Sequence, residues 1–263
     1  MNLNDIRAHY DAEQRIDAPI VGMRRARGDH TVRLIANSIG RGVVIHSDLT
    51  SDNADDAIAA ELDFFRGEPG ITHLEWKLFD YDAPLDLNER LEAHGFTVGE
   101  PEAICVLDLA HLPDRLRQQP THDIRRITDP TGIADVIAVK TDVYPDDAAV
   151  GADGWFAVML ADNLRVAPEM IRLYVAYVDG IPVSTAWMDI IPGSAFAGLW
   201  GGSTRAAYRG RGIYTDLIAV RAAAAIAAGA RYLTIDASPM SRPIVEKHGF
   251  QFMAWTWACE TAL

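Results

Sequence analysis

The sequence predicts an α+β protein made of two related units, each a mixed, mostly antiparallel sheet with helices on both faces. Three observations predict it. Leu91-Glu92-Ala93-His94-Gly95-Phe96 returns as Val245-Glu246-Lys247-His248-Gly249-Phe250, offset by 154 residues with four of six positions identical, and Cys105 and Cys259 each follow the Phe by nine residues. The chain upstream of each match has the same pattern of helix, strand, short helix, Gly-Phe and strand. The second half also opens with strands joined by tight turns before one strand-helix-strand unit, the signature of a mixed sheet.

The elements follow in order. In the first half a helical run spans Asp55 to Arg66, and a strand spans Leu74 to Phe79. Leu109 to Asp123 is polar and interrupted by Pro113 and Pro120, so it reads as a connector. The boundary falls at residue 118, which gives units 1–118 and 119–263. Beyond it the pattern predicts a strand (Ile124 to Ile127), helices (Gly132 to Tyr144 and Gly154 to Asn163), and strands Ile171 to Val178, Val183 to Ile190 and Phe196 to Thr204. Asp179-Gly180 and Pro192-Gly193 supply the turns. A helix from Tyr214 to Ala228 carries only Asp216 and Arg221 as charges, so it should lie against the sheet, and Gly229 ends it. Tyr232 to Ile235 is the next strand.

Composition narrows the function. The chain has 263 residues, 24 Lys and Arg against 37 Asp and Glu, and a net charge of −13; 49% of residues are hydrophobic and 23% charged. Those values exclude disordered, collagenous and membrane-embedded classes. They argue against a nucleic-acid partner, which needs surplus cations, and favour a cationic one. Ile181 to Thr204 is nearly uncharged but broken by prolines and glycines, which rules it out as a membrane span. No secretory signal opens the sequence, so a cytoplasmic location is expected. Cys105 and Cys259 lack metal-ligand spacing with the histidines and read as buried free thiols, and no metal is expected.

The chemistry concentrates in Gly201 to Thr215, which joins a strand to a helix start. Glycines let backbone N–H groups converge on an anion, and the helix N-terminus adds positive charge. Arg205, Arg209, Arg211 and Arg221 lie within 17 residues of an acidic chain. A plain glycine-rich turn with a solvated basic patch is the bland alternative. A nucleoside-triphosphate loop is excluded, because no Lys-Ser/Thr follows the glycines. A dinucleotide fingerprint has two of its glycines in Gly210-x-Gly212-x-x-Thr215, with Asp236 further on, but lacks the third glycine and the tight turn after the strand.

Arg209-Gly210-Arg211-Gly212-Ile213-Tyr214 resembles the Arg/Gln-x-x-Gly-x-Gly/Ala signature of the GNAT superfamily of acyl-CoA N-acyltransferases, and Glu246-Lys247-His248-Gly249-Phe250 resembles that family's later motif. The resemblance covers about residues 122 to 263 and reaches the first half through the repeat. It implies tandem GNAT-like domains in α/β/α layers. It also implies acetyl-CoA as the acyl donor, with the pyrophosphate on Arg209, Gly210, Arg211, Gly212, Ile213 and Tyr214 and the pantetheine arm along the backbone of Gly202, Ser203 and Thr204. The sequence departs from the family in three places. Tyr214 stands where a small residue is usual, Ser238 where Asn is usual, and Val245 where the family keeps a Tyr that protonates the departing thiolate. The strand Phe196 to Thr204 also has no carboxylate.

Transfer to an amine needs a proton acceptor and an acid for the thiolate. Asp236, closing the strand Tyr232 to Ile235, is the expected base, against a bland role in capping the turn that follows. Tyr214 is the expected acid, with Ser241 behind it. Asp189 reads as a solvent-facing strand end. His248 has its counterpart His94 in the half without a phosphate loop, so a shared structural role explains both. In that half the matching run Ser47 to Asp55 is acidic and lacks Gly, as in a repeat that has lost its cofactor. The expected function is acetyl transfer to a primary amine on a small cationic molecule. A non-catalytic acyl-CoA-binding or interaction protein is the alternative.

Overall fold

The computed structural model describes residues 2–147 and 155–263, which fall into two compact units. The first comprises residues 1–105, 237–243 and 252–263. It contains α1 (Leu3–Tyr10), continued by a π-helical turn over Asp11–Ile16, and β1 (Arg24–Arg27), β2 (Thr31–Ala36) and β3 (Arg41–Ser47). Then come α2 (Ala54–Gly67), β4 (His73–Phe79), α3 (Leu87–Ala93), β5 (Thr97–Val98) and β6 (Glu102–Asp108), the last crossing into the second unit after Cys105.

The strand order in the first unit is β1-β2-β3-β4, with only β3–β4 parallel. α2 turns Ile58, Leu62 and Phe65 to the sheet, the i, i+4, i+7 spacing of one helical face, where they meet Trp76, Leu74 and Leu91. Phe65 lies so close to β3 that a Cβ on Gly42 would be 2.3 Å from its ring. Truncating Phe65 or Trp76, both fully buried, would cost about 3–5 kcal/mol each.

The second unit comprises residues 106–236 and 244–251. It holds α4 (Asp114–Arg117), β7 (Asp123–Ile127), α5 (Ile133–Val143), α6 (Trp155–Val166), β8 (Ile171–Val178), β9 (Ile181–Ile190) and β10 (Phe196–Thr204). α7 (Ile213–Ala227), β11 (Tyr232–Ala237) and α8 (Arg242–Lys247) follow. The order β11-β10-β9-β8-β7 is parallel at β10–β11 and antiparallel elsewhere. Ile171, Leu173, Val175 and Trp187 share one sheet face and pack on α5 and α6. α7 covers the opposite face, where its Arg221 lies near Tyr174. Helices on both faces of a mixed sheet are the predicted layers.

Most predicted elements are present within two or three residues of their expected ends. The start of the helix placed at Gly154 lies outside the described residues. Asp179 (φ 49°) and Gly180 (φ 78°) form the β8–β9 turn, and Gly193 and Gly229 take the left-handed conformations expected of a turn and a helix stop. The strands β1 to β3 have no counterpart among the expected elements. β12 (Gln251–Ala262), the strand that follows the second Gly-Phe, pairs with β4 from Thr256↔Phe79 to Ala262↔His73.

The repeat is visible in matched detail. The N–H groups of His94 and Gly95 return to Leu91 and Glu92 carbonyls, and those of His248 and Gly249 to Val245 and Glu246. Gly95 (φ 90°) and Gly249 (φ 95°) are both left-handed, which an L side chain resists. Phe96 and Phe250 are both buried, and Cys105 and Cys259 are both buried and outside any disulfide.

Candidate active site

β10 and β11 run together only from Phe196↔Tyr232 to Leu199↔Ile235, while β10 stays paired with β9 out to Thr204↔Ser184. From Trp200 onward, therefore, β10 presents one backbone edge without a β11 partner. The divergence coincides with a bulge between Trp200 and Ser203, where Gly201 adopts φ 61°. Trp187 fills the space beside it; a Cβ on Gly201 would lie 1.6 Å from the ring, so only glycine fits. The three residues expected to carry a pantetheine arm, Gly202, Ser203 and Thr204, form this edge. Ser203 is buried, its carbonyl accepts from the Ser184 hydroxyl at 2.7 Å, and its own Oγ has no partner among the described residues.

The loop after β10 makes a short 3₁₀ turn over Ala206–Tyr208, then passes through Gly210 (φ 73°) and Gly212 (φ 85°) into α7. Among the described residues the N–H groups of Gly210, Arg211 and Gly212 meet no acceptor. No side chain caps α7, and a Cβ on Gly210 would meet nothing within 4 Å. Open N–H groups at an uncapped helix start are what an anion such as a pyrophosphate requires. Arg209 and Arg211 brace the loop through the carbonyls of Thr204 and Ala207 and remain exposed. Arg221, grouped with them in the sequence, belongs elsewhere: it is fully buried and donates to the Leu217 and Trp187 carbonyls, and burial lowers its pKa.

His122 also stands beside the loop. Its Nδ1 lies 2.8 Å from the Asp216 carboxylate in the first turn of α7, and its Cε1 is 3.8 Å from where a Gly212 Cβ would be. Asp216 also accepts the N–H groups of Thr121 and His122. Burial opposes its ionisation, but these bonds outweigh burial and hold its pKa below the ordinary carboxylate range. The Asp-His pair thus fixes the connector beside the loop, and no sequence motif marks it.

Tyr214 directs its ring back to β10: a Cβ on Gly202 would be 2.8 Å from Cε2 and 3.6 Å from the hydroxyl. Burial raises its pKa, opposed by the neighbouring Arg221. The register places Asp189, Trp187, Gly198, Trp200, Thr234 and Asp236 on one sheet face, with Asp236 immediately beyond the last β11 position paired with β10. Asp189 is not the solvent-facing strand end expected of it. It is half-buried opposite Gly198, and desolvation pushes its pKa up to about 7, only partly offset by the Trp200 indole.

The remaining candidates have structural roles. Val245, at the family's Tyr position, is fully buried. Ser238 and Ser241 bond to each other at 3.0 Å within a turn. His248 joins the Thr215 hydroxyl (2.9 Å) to the Ile244 carbonyl (2.8 Å), while His94 reaches Asp55 in the first turn of α2. Each histidine ties a short helix to the start of a long one, the shared role that the repeat predicts.

The corresponding place in the first unit is filled from within. β3 has its own irregularity at Ile45, between the pairs Val44↔Arg33 and His46↔Val32, and β3–β4 pairing also ends at Val44↔Trp76. There Arg15 Nε donates to the Ile45 carbonyl at 3.1 Å. Its guanidinium stacks 4.0 Å from the Phe79 ring centroid and pairs with Asp82 at 2.7 Å.

Residues 112–236 match the acetyltransferase (GNAT) domain family. A Staphylococcus epidermidis protein described as functionally unknown superposes with TM-score 0.67 at 14% identity, over 99% of this chain and 97% of its own. A GCN5-related N-acetyltransferase from Kribbella flavida gives 0.65 at 18% identity over 92% and 89%. A tandem GNAT protein of the clavulanic acid biosynthesis pathway gives 0.60 at 15% identity over 88% and 78%. No curated protein matches the chain. The fold is that of tandem GNAT proteins, and residues 112–236 belong to the GNAT acetyltransferase domain family, whose chemistry is acyl transfer from an acyl-CoA. No described helix is long and apolar enough to cross a membrane.

Proposed function

We propose that the protein is an N-acetyltransferase that moves the acetyl group of acetyl-CoA directly to a primary amine, at one site in the second unit. The observation that carries this is the unpaired β10 edge at the Gly201 bulge, leading into open N–H groups at Gly210 to Gly212. Acetyl-CoA would supply an acyl group activated on sulfur. The backbone of Gly202 to Thr204 would hold its pantetheine amides, and the loop from Arg209 to Tyr214 its pyrophosphate. Asp236 would take a proton from the incoming ammonium through water, and its negative charge would hold that cation. Tyr214 would give its hydroxyl proton to the departing sulfur. Asp189 is a second candidate base, favoured by the burial that brings its pKa to about 7, near the optimum for general-base catalysis. In this reading the duplicated unit ends near residue 118, and the first half keeps the fold without a cofactor.

The test is kinetic. Asp236→Asn should bind acetyl-CoA normally while transfer slows roughly 100-fold or more, with partial recovery at high pH, where more amine is neutral. A normal rate in that variant would move the base to Asp189. The fully buried Val245, in place of the usual acid, favours a non-catalytic acyl-CoA-binding protein as the rival. Absence of thiol release from acetyl-CoA across a panel of amines would establish that rival.

A further inference from the structure

Only three of the 24 basic Lys and Arg residues are lysines: Lys77, Lys140 and Lys247. Lys140 is in the last turn of α5 and is buried. Its Nζ faces three aromatic rings, with centroids 5.1 Å away for Tyr144, 5.7 Å for Phe156 and 5.4 Å for Trp187. No carboxylate closes an ion pair with it among the described residues, although Asp147 acts on it at longer range. Ring faces attract an ammonium but accept none of its three N–H bonds in the way an oxygen does. Burial accordingly lowers the Lys140 pKa to about 8.

The position of the cage gives it meaning. Trp187 forms one wall, and the same ring fills the space against Gly201 at the bulge. The ammonium is thus one aromatic ring away from the strand edge proposed to hold the thioester. It stands over the sheet face that also carries Asp189 and Asp236. An acceptor entering that face would meet carboxylates able to hold its ammonium and, beyond Trp187, the Lys140 ammonium, which has no carboxylate in an ion pair with it among the described residues.

We propose that Lys140 is a specificity residue that receives a carboxylate of the acyl acceptor, so that the acceptor is an amino-acid-like zwitterion carrying both a primary amine and a carboxylate. A single ammonium matches a singly charged group, whereas a phosphate dianion would leave charge uncompensated. This inference rests on the transferase reading, and its test separates the two.

The first measurement needs no turnover. The full chain is labelled with limiting acetic anhydride in the presence of propionate or of neutral propionamide, and acetylation of Lys140 is quantified by peptide mass spectrometry against Lys77 and Lys247. Propionate should slow labelling of Lys140 alone, and propionamide should not. Equal labelling of Lys140 in the two conditions would overturn the proposal. The second measurement compares β-alanine with propylamine as acceptors. Lys140→Met should lower kcat/KM for the carboxylate-bearing amine by about 10- to 100-fold, the loss of one charge-assisted contact. It should leave propylamine and coenzyme A affinity unchanged, and Lys140→Arg should recover part of the loss. Equal losses for both amines would refute the assignment. If coenzyme A fails to bind or neither amine is acetylated, the transferase reading fails, and the labelling result still decides whether Lys140 receives a carboxylate.

Discussion

Replacing Asp189 with Asn should make the protein more stable, and increasingly so as pH rises. In the folded chain desolvation brings this carboxyl to about 7, against about 3.9 in an unfolded one. Between those values the folded state binds more protons than the unfolded state, so stability falls as pH rises through that window. Three pKa units correspond to an upper bound of about 4 kcal/mol at pH values above about 8 and well under 1 kcal/mol near pH 4. Asp189 is half-buried, and screening at its exposed edge trims the high-pH figure to about 2–4 kcal/mol. Asn keeps the shape and removes the charge, so Asp189→Asn should gain that amount at high pH and almost nothing at low pH. Urea unfolding at about pH 4.5 and pH 8.5, with equal m-values for parent and variant, measures it. A gain that does not change with pH, or a loss at high pH, would refute the reasoning. Lower transfer activity in the more stable variant would identify the charge as one retained for function.

Gly212→Val should weaken coenzyme A binding by about 10- to 100-fold in calorimetry, because a β-branched residue resists φ 85° and the loop N–H groups lose their alignment. Arg211→Glu should weaken it further at low salt, and the parent chain should bind once; two equal sites would contradict the single-site assignment. A fragment of residues 119–263 should aggregate or bind coenzyme A poorly, because β12 loses β4; a clean monomer with full affinity would show that the first half is dispensable.

The sequence made the second unit's sheet legible because its punctuation is strong. Asp179-Gly180, Pro192-Gly193 and Gly229 each require a backbone conformation that few residues adopt, and runs such as Ile171 to Val178 have one dominant period. The loop was legible for the same reason, since Gly210 and Gly212 sit where φ is positive. What escaped depended on pairing across long separations. β1 to β3 are short and carry arginines such as Arg24, Arg25, Arg33 and Arg41, which blur alternation until their partners, among them Glu61, Glu68 and Glu75, are known. Asp189 read as exposed because its neighbours Ile171, Gly198 and Trp200 come from other strands. Arg221 read as part of a surface patch because a helix face cannot be assigned from charge alone. The His122–Asp216 contact joins residues 94 apart and has no motif.

The two halves differ at one matching place in their sheets. Both strands that precede the long helix carry an irregularity, at Ile45 and at Gly201, and both diverge there from the parallel neighbour. In the second unit glycines leave the opening clear and the following loop offers N–H groups. In the first unit Arg15 occupies the opening, its charge held by Asp82, and the loop that follows carries aspartates that would repel a pyrophosphate. The first half also supplies β4, the strand with which β12 pairs. The polypeptide leading away from the candidate site beyond Asp236 therefore ends in a strand anchored by the first unit. If the second unit holds the site as proposed, truncating the buried Trp76 or Phe79 on β4 should lower coenzyme A affinity in calorimetry as much as substitutions in the loop itself.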